Sequence, residues 1–302
     1  MSKWINRLTD LEWIHHLNPS VIFAICIYGL YYPILFSALA LYKLPFYAYL
    51  PAGLIQTLLV FLAFTLIHDG SHHSISRNPK INELILLLCW PMFLNNPILF
   101  RKLHWQHHSN VNDPIKDPDH FTASRTLAGR WFKSFFLIFY YIVFGVRNFK
   151  TAYWRMQITL SAASSSLVLL AAIVTPLTWP IIFVWVLPAF FGIGFLAYMN
   201  TSLPHHPARE TDRYRNTSNS YMPWFLQLLM LNQNLHLAHH LRPTMPWYEY
   251  PEYWKRNKAE VMQNGGRVMI YTDREEPYAL IPSGVQEVIK EVRQRIDLFN
   301  PW

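Results

Sequence analysis

Four stretches of this chain are apolar for long enough to cross a lipid bilayer, and that leaves few folds open. They run over 21–42, 46–67, 158–176 and 179–199. A helix needs about 20 consecutive apolar residues to span the hydrocarbon core, and only helices or closed barrels satisfy their backbone there. Runs of this length predict an all-α membrane protein with four transmembrane helices. Two further apolar stretches are interrupted or short. Residues 81–100, "INELILLLCWPMFLNNPILF", carry Glu83, Pro91, Pro97 and two asparagines, and 131–146 is short and strongly aromatic. Both read as interfacial or re-entrant helices.

Charge supports this map. Of 26 Lys and Arg, Lys43 alone falls in the loops on one side, which places the other 25 on the opposite side. The positive-inside tendency makes that side cytoplasmic. The expected organisation is a single membrane domain over 1–302, with a cytoplasmic cap built from 68–157 and 200–302. An integral protein of a bacterial inner or plasma membrane is the expectation that follows. Nucleic acid is not an expected partner, because nothing beyond the net charge of +8 points to it. Cys26 and Cys89 lie apart in apolar runs and form no thiolate cluster. The first 16 residues read as an amphipathic surface segment in which His15 and His16 are interfacial. Residues 283–299 read as a cytoplasmic amphipathic helix with apolar positions at 285, 289, 292 and 296. The "GIGFLA" at 192–197 lies inside a span and reads as helix packing.

The map gathers twelve of the fourteen histidines at one membrane face. In "HDGSHH", His68 and His72 are four apart and share a helix face, whereas His73 points elsewhere. "HWQHH" aligns His104, His107 and His108, and "HLAHH" aligns His236, His239 and His240. His205 and His206 follow the last span as further candidates. Ionisable groups beside a membrane segment are costly and usually functional. Two H-x-x-H-H clusters and one H-x-x-x-H therefore predict a metal site.

Eight or nine imidazoles are too many for one zinc ion, and no H-E-x-x-H is present. Neutral imidazole suits Fe, Cu, Ni and Zn. Two octahedral irons use the inventory well. Metal-bound histidines commonly donate their other N–H to a carboxylate. Asp69, Asp119, His73, His120 and Asn232 are the candidates for such supporting roles. Asp113 and Asp117 stand in Asp-Pro steps and serve equally well as turn formers.

Three histidine boxes on one face of a four-span chain resemble the membrane fatty-acid desaturase/hydroxylase superfamily. The words "SNVNDPIKDPDHF" (109–121), "LPHHPARETDRYRNT" (203–217) and "QNLHLAHHLRPTMPWYEY" (233–250) are most similar to the cyanobacterial-type β-carotene hydroxylase branch. The resemblance covers roughly 65–250. It implies a pair of non-haem irons held by His68, His72, His104, His107, His108, His236, His239 and His240, with His205 as the extra ligand after the last span. It also implies O2 and a separate ferredoxin- or cytochrome-like electron donor. A hydroxylase of a carotenoid-like ring is the first expectation. A fatty-acyl desaturase is the alternative, and a histidine-rich metal carrier a remote one. The substrate should enter from the bilayer into an apolar tunnel. Spans one, two and four carry the Tyr, Phe and Leu that such a tunnel needs.

Overall fold

The structure, a computed structural model, describes residues 18–206 and 208–270. The two amphipathic terminal segments expected from sequence, with His15 and His16, lie outside the described residues. Ten helices of six or more residues follow in order: α1 Pro19–Ala40, α2 Leu50–Ser71, α3 Pro79–Leu88, α4 Pro97–Ser109, α5 Leu127–Asn148, α6 Ala152–Val174, α7 Thr178–His205, α8 Trp224–Met230, α9 His236–Leu241 and α10 Tyr250–Gln263. Two short parallel strands, β1 Ser218–Tyr221 and β2 Arg267–Ile270, complete the fold, with Ser218 opposite Arg267 and Tyr221 opposite Ile270. The fold is thus an all-α membrane protein with a histidine-rich cap.

The four expected spans fall on α1, α2, α6 and α7. The aromatic stretch expected to be interfacial falls on α5, whose 22 residues also pass by length and composition. Among the described residues, five helices are therefore long and apolar enough to cross. The other ambiguous stretch is a broken pair: Pro79–Phe93 meets α4 at a bend of 101°. Leu94 adopts a left-handed φ of 49° at the break, and the Asn96 side chain caps α4 by accepting from the Ile98 N–H at 2.9 Å. Backbone freed at such a break must find partners inside the protein. A polar stripe on α6, Gln157–Ser161–Ser165, supplies them at helical spacing. Asn96 donates to Gln157 Oε1 at 2.7 Å, its own N–H donates to Ser161 Oγ at 3.2 Å, and Ser165 donates to the Leu94 carbonyl.

The core is assembled around α2. Small residues let α7 approach it: a Cβ on Gly53 would sit 2.3 Å from the Phe183 carbonyl oxygen, and one on Gly192 would meet Val60 at 2.7 Å. Close backbone approach of this kind is how helices pack where lipid offers no hydrophobic drive. α1 lies on the other side of α2, capped by Asn18, whose side chain accepts from the Val21 N–H at 2.9 Å. Its tyrosines tie it to α3, with Tyr28 and Tyr32 donating to the carbonyls of Ile85 and Leu88, each at 2.5 Å.

Beyond α7 the chain turns back over the histidine end of the bundle. The Asn219 side chain on β1 accepts from the N–H groups of Leu237 and Ala238 at 2.9 and 3.2 Å, capping α9. Trp254 of α10 is fully buried and donates to Tyr221 Oη at 2.6 Å. These two contacts tie α9 and α10 to β1.

Candidate metal centre

Four elements present histidines to one another. His68 lies in the last turn of α2, and His72 is its C-terminal cap. His104, His107 and His108 lie in the last two turns of α4, His205 ends α7, and α9 carries His236, His239 and His240. The nine imidazoles sort into two sets of four. His68, His72, His104 and His239 form the first, and His107, His205, His236 and His240 the second. In each set the ligand nitrogens lie within 4.8 Å of one another. His108 stands between the sets, with its Nε2 at 3.2 Å from that of His104 and 2.9 Å from that of His239 in the first, and its ring centroid 4.4 Å from that of His240 in the second. The shared face predicted for each H-x-x-H-H cluster is therefore divided in use. α4 gives His104 to one set and His107 to the other, and α9 gives His239 to one and His236 and His240 to the other.

The protonation pattern tests whether this arrangement suits a cation. His68 Nδ1 faces Asp69 Oδ1 at 3.0 Å, His107 Nδ1 faces Asp117 Oδ1 at 2.9 Å, and His205 Nδ1 faces the Asn216 carbonyl at 3.2 Å. Carboxylates and carbonyls only accept, so these rings carry their proton on Nδ1 and a lone pair on Nε2. Those lone pairs converge. His68 Nε2 is 3.0 Å from His239 Nε2, and His205 Nε2 is 3.1 Å from His236 Nε2. His72 and His104 approach through Nε2 at 2.8 Å. All of these residues except His108 and His240 are buried. The three lone pairs fixed in this way, left unpaired at about 1–3 kcal/mol each, would consume much of the ~5–15 kcal/mol net stability of a typical protein. A bound cation removes that cost, so the donor set fits one metal ion per cluster. All-nitrogen coordination with backing carboxylates suits a borderline transition metal.

The supporting residues differ from expectation in part. Asp69 backs His68 and also accepts from the Trp247 N–H at 3.1 Å, locking the α9–α10 segment to α2. Asp119 lies 3.8 Å from His107 Nδ1 and accepts from Tyr141 Oη at 2.6 Å. Burial pushes its carboxyl up to about 6, with Asp117 adding to the rise and His107 opposing it. Asp117, left by sequence as an even choice between turn and support, does both. It caps the Pro118–Thr122 turn through the Asp119 N–H at 2.9 Å and accepts from the Asn112 N–H at 2.8 Å while holding His107. Asp113 only builds a turn, through the N–H groups of Ile115 and Lys116.

Three supporting candidates do not reach the centre. His73 is exposed, because a left-handed φ of 56° turns it out just past the end of α2. Asn232 is buried, but its amide is spent on Gln227 at 2.9 Å and the Trp247 carbonyl at 3.3 Å, bracing a left-handed turn. His120 is half-buried and lines a smaller cavity with His206, behind His205. Sequence reading had no signal for Tyr250, whose hydroxyl meets His239 Nδ1 at 3.1 Å, or for Tyr141.

A cavity of about 650 Å³, partly open to its surroundings, lies against the histidines. His104, His107, His236 and Asp119 form one end, and Phe64, Ile67, Phe93, Leu137, Ile193 and Leu196 form apolar walls. Among the described residues, α1 contributes nothing to it, contrary to the tunnel expected from spans one, two and four. Tyr28 and Tyr32 of α1 are occupied in holding α3, and α5 takes the vacated wall with Leu137, Ile138 and Tyr141.

A helical membrane protein with two buried histidine clusters at the mouth of an apolar cavity is the class that fold and site define. The chain belongs to the fatty acid desaturase family, whose pattern matches residues 44–272. It is 30% identical over 198 residues to a zeaxanthin 4-ketolase of Chlamydomonas reinhardtii, covering 63% of this chain and 40% of that protein. It is 27% identical over 202 residues to a beta-carotene 4-ketolase 3 of Haematococcus lacustris, covering 62% and 56%. It is also 27% identical over 266 residues to a dihydrorhizobitoxine desaturase of Bradyrhizobium elkanii, covering 76% and 72%. The chain thus spans about half the length of the two ketolases.

Proposed function

We propose that this chain is a membrane-bound non-haem di-iron oxygenase that uses O2 and electrons from a separate ferredoxin- or cytochrome-like donor to hydroxylate a carotenoid-like lipid. The observation that carries the reading is the abutment of two four-histidine clusters on an apolar cavity. His68, His72, His104 and His239 would hold one iron, and His107, His205, His236 and His240 the other, with His108 between them. When bound, the irons supply the redox chemistry with O2 that side chains lack. The chain's own residues do the rest. Asp69, Asp117 and the Asn216 carbonyl hold three imidazoles in one tautomer and orientation. The apolar walls exclude water and hold a C–H bond at the histidine end.

Parity supports a four-span arrangement. The chain before α5 and the chain after α7 both reach the histidine centre, so an even number of crossings separates them. α5 also stays beside the 118–123 turn. Lys133 Nζ meets the Ala123 carbonyl at 2.6 Å and Tyr141 meets Asp119, although residues 133 and 141 lie roughly 12 Å apart along the helix. This supports crossings by α1, α2, α6 and α7, with α5 along the face. With the basic residues gathered on that face, the centre is cytoplasmic in a bacterial membrane.

Two of the relatives above are ketolases. A ketone at a ring carbon is two successive oxygenations at one position, so those names and hydroxylation share one chemistry. Desaturation of an acyl chain is the second reading, favoured by the family match and the desaturase relative. Expression in cells that make β-carotene, followed by pigment chromatography and fatty-acid analysis, separates the two. Oxygenated pigment with unchanged fatty acids is the expected result, and the reverse selects the desaturase. Purified protein should hold about two irons. Bound zinc or nickel without O2 consumption would defeat both readings.

A further inference from the structure

Outside the histidine clusters, one polar group among the described cavity-lining residues has no protein partner. The cavity-lining residues of α7 are Ile193, Leu196, Ala197, Asn200 and Thr201, spaced along a single helix face. Asn200 stands on this stripe where an apolar residue would suffice, inside a wide π-type turn at Ala197–Ser202. Such turns commonly mark functional sites. Its side chain is 4% exposed. Its amide Nδ2 donates back to the Leu196 carbonyl at 3.3 Å, which fixes the amide's orientation, and its Oδ1 accepts from nothing.

The nearby donors are already used. Tyr141 donates its hydroxyl to Asp119, and Thr201 bonds the same carboxylate. A water held here would need two to four polar partners, and the neighbours of Asn200 on the stripe are the apolar Leu196 and Ala197 and Thr201, whose hydroxyl is engaged with Asp119. A donor for Oδ1 must therefore come with the cavity's occupant. Asn200 precedes His205 by five residues, a little more than one helical turn.

We propose that Asn200 is a specificity-determining residue that accepts a hydrogen bond from a hydroxyl already present on the lipid, a short way along the molecule from the carbon to be oxidised. This rests on the oxygenase reading and narrows it: the preferred substrate is an apolar lipid alcohol, so an earlier oxygenation of the hydrocarbon must supply it. A lipid lacking the O–H would leave a buried acceptor unpaired in the complex, which costs roughly tenfold or more in selectivity.

The test uses the full-length, metal-loaded protein with β-carotene, zeaxanthin and zeaxanthin dimethyl ether, reading both turnover and binding by quenching of tryptophan fluorescence. The ether keeps the bulk and removes the donor. Wild type should bind and turn over zeaxanthin roughly tenfold or more better than the ether or β-carotene, and Asn200→Leu should bring the three close together, mainly by losing zeaxanthin. Equal handling of the three by wild type overturns the proposal. So does an Asn200→Leu variant, with its metal retained, that slows all three equally, because the amide then serves the centre rather than the substrate. If Asn200→Leu does not fold, the wild-type comparison of alcohol with ether decides alone. A binding preference without turnover of any lipid would uphold this inference and defeat the oxygenase reading.

Discussion

The two histidine clusters are matched in number and differ in what stands behind them. The first, around His68, is backed by Asp69, and that carboxylate also anchors the Trp247 N–H, so the cluster is tied to the helical cap. The second, around His107, is backed by Asp117 and Asp119, and Asp119 carries Tyr141 from α5. The second also supplies His107 and His236 to the cavity wall, whereas the first supplies only His104. The contrast is one of emphasis: the first cluster is tied to the cap through Asp69 and Trp247, and the second gives more of the cavity wall.

Removing a ligand from each side should give the largest effects. His107→Ala and His68→Ala should both abolish activity and lower the metal content of the purified protein. Thermal unfolding then separates them. His68→Ala should cost more stability, because its cluster joins α2, α4 and α9 in the protein interior. Stripping metal from wild type with a chelator should lower the melting temperature by on the order of 10 °C, since several kcal/mol of lone-pair desolvation is no longer offset. Unchanged melting after complete metal loss would show that the clusters stand without a cation.

The carboxylates come next. Asp117→Asn and Asp69→Asn each weaken the support of one histidine, a change that typically costs 10–100-fold in metal affinity or activity. Asp117→Asn should be the worse for activity, because Asp117 also shapes the 112–119 turn through two backbone N–H groups. Asp69→Asn should be the worse for stability, because it loosens Trp247. Metal titration and melting curves on the same two proteins check both halves. Tyr141→Phe is milder. It removes one hydrogen bond to Asp119, about 1 kcal/mol, and should slow turnover roughly five- to tenfold while leaving metal content intact.

The clustering of the histidines was legible in sequence because helical spacing is local: His104, His107 and His108 lie within two turns of one helix whatever surrounds them. The break between Pro79–Phe93 and α4 was legible for a similar reason, since Asn and Pro in an apolar run announce a backbone that needs partners. Which cluster each histidine joins was not legible, because that depends on how α4 and α9 cross. Asn232 was misjudged from proximity. It lies four residues before His236, but a left-handed turn at Leu231 and Asn232 swings its amide toward Trp247. α1 was misjudged from composition, because tyrosines that line a tunnel and tyrosines that clamp a neighbouring helix read alike. Tyr250 and Tyr141 act across long sequence separations and leave no local trace.

The smallest expected effect tests how sharply the centre ends. His72 and His73 are adjacent and chemically identical, and the helix stops between them. His72 caps α2 and turns its Nε2 to His104, whereas His73 takes a left-handed φ and faces outward. His72→Ala should therefore behave like the other ligand losses. His73→Ala should leave activity and metal content unchanged. His73→Gly should be neutral or slightly stabilising, because glycine adopts that φ without the steric cost an L side chain bears. Measured metal content of the three variants decides the matter, and a deficit in His73→Ala would mean that the α2 terminus rearranges to bring a further imidazole inward.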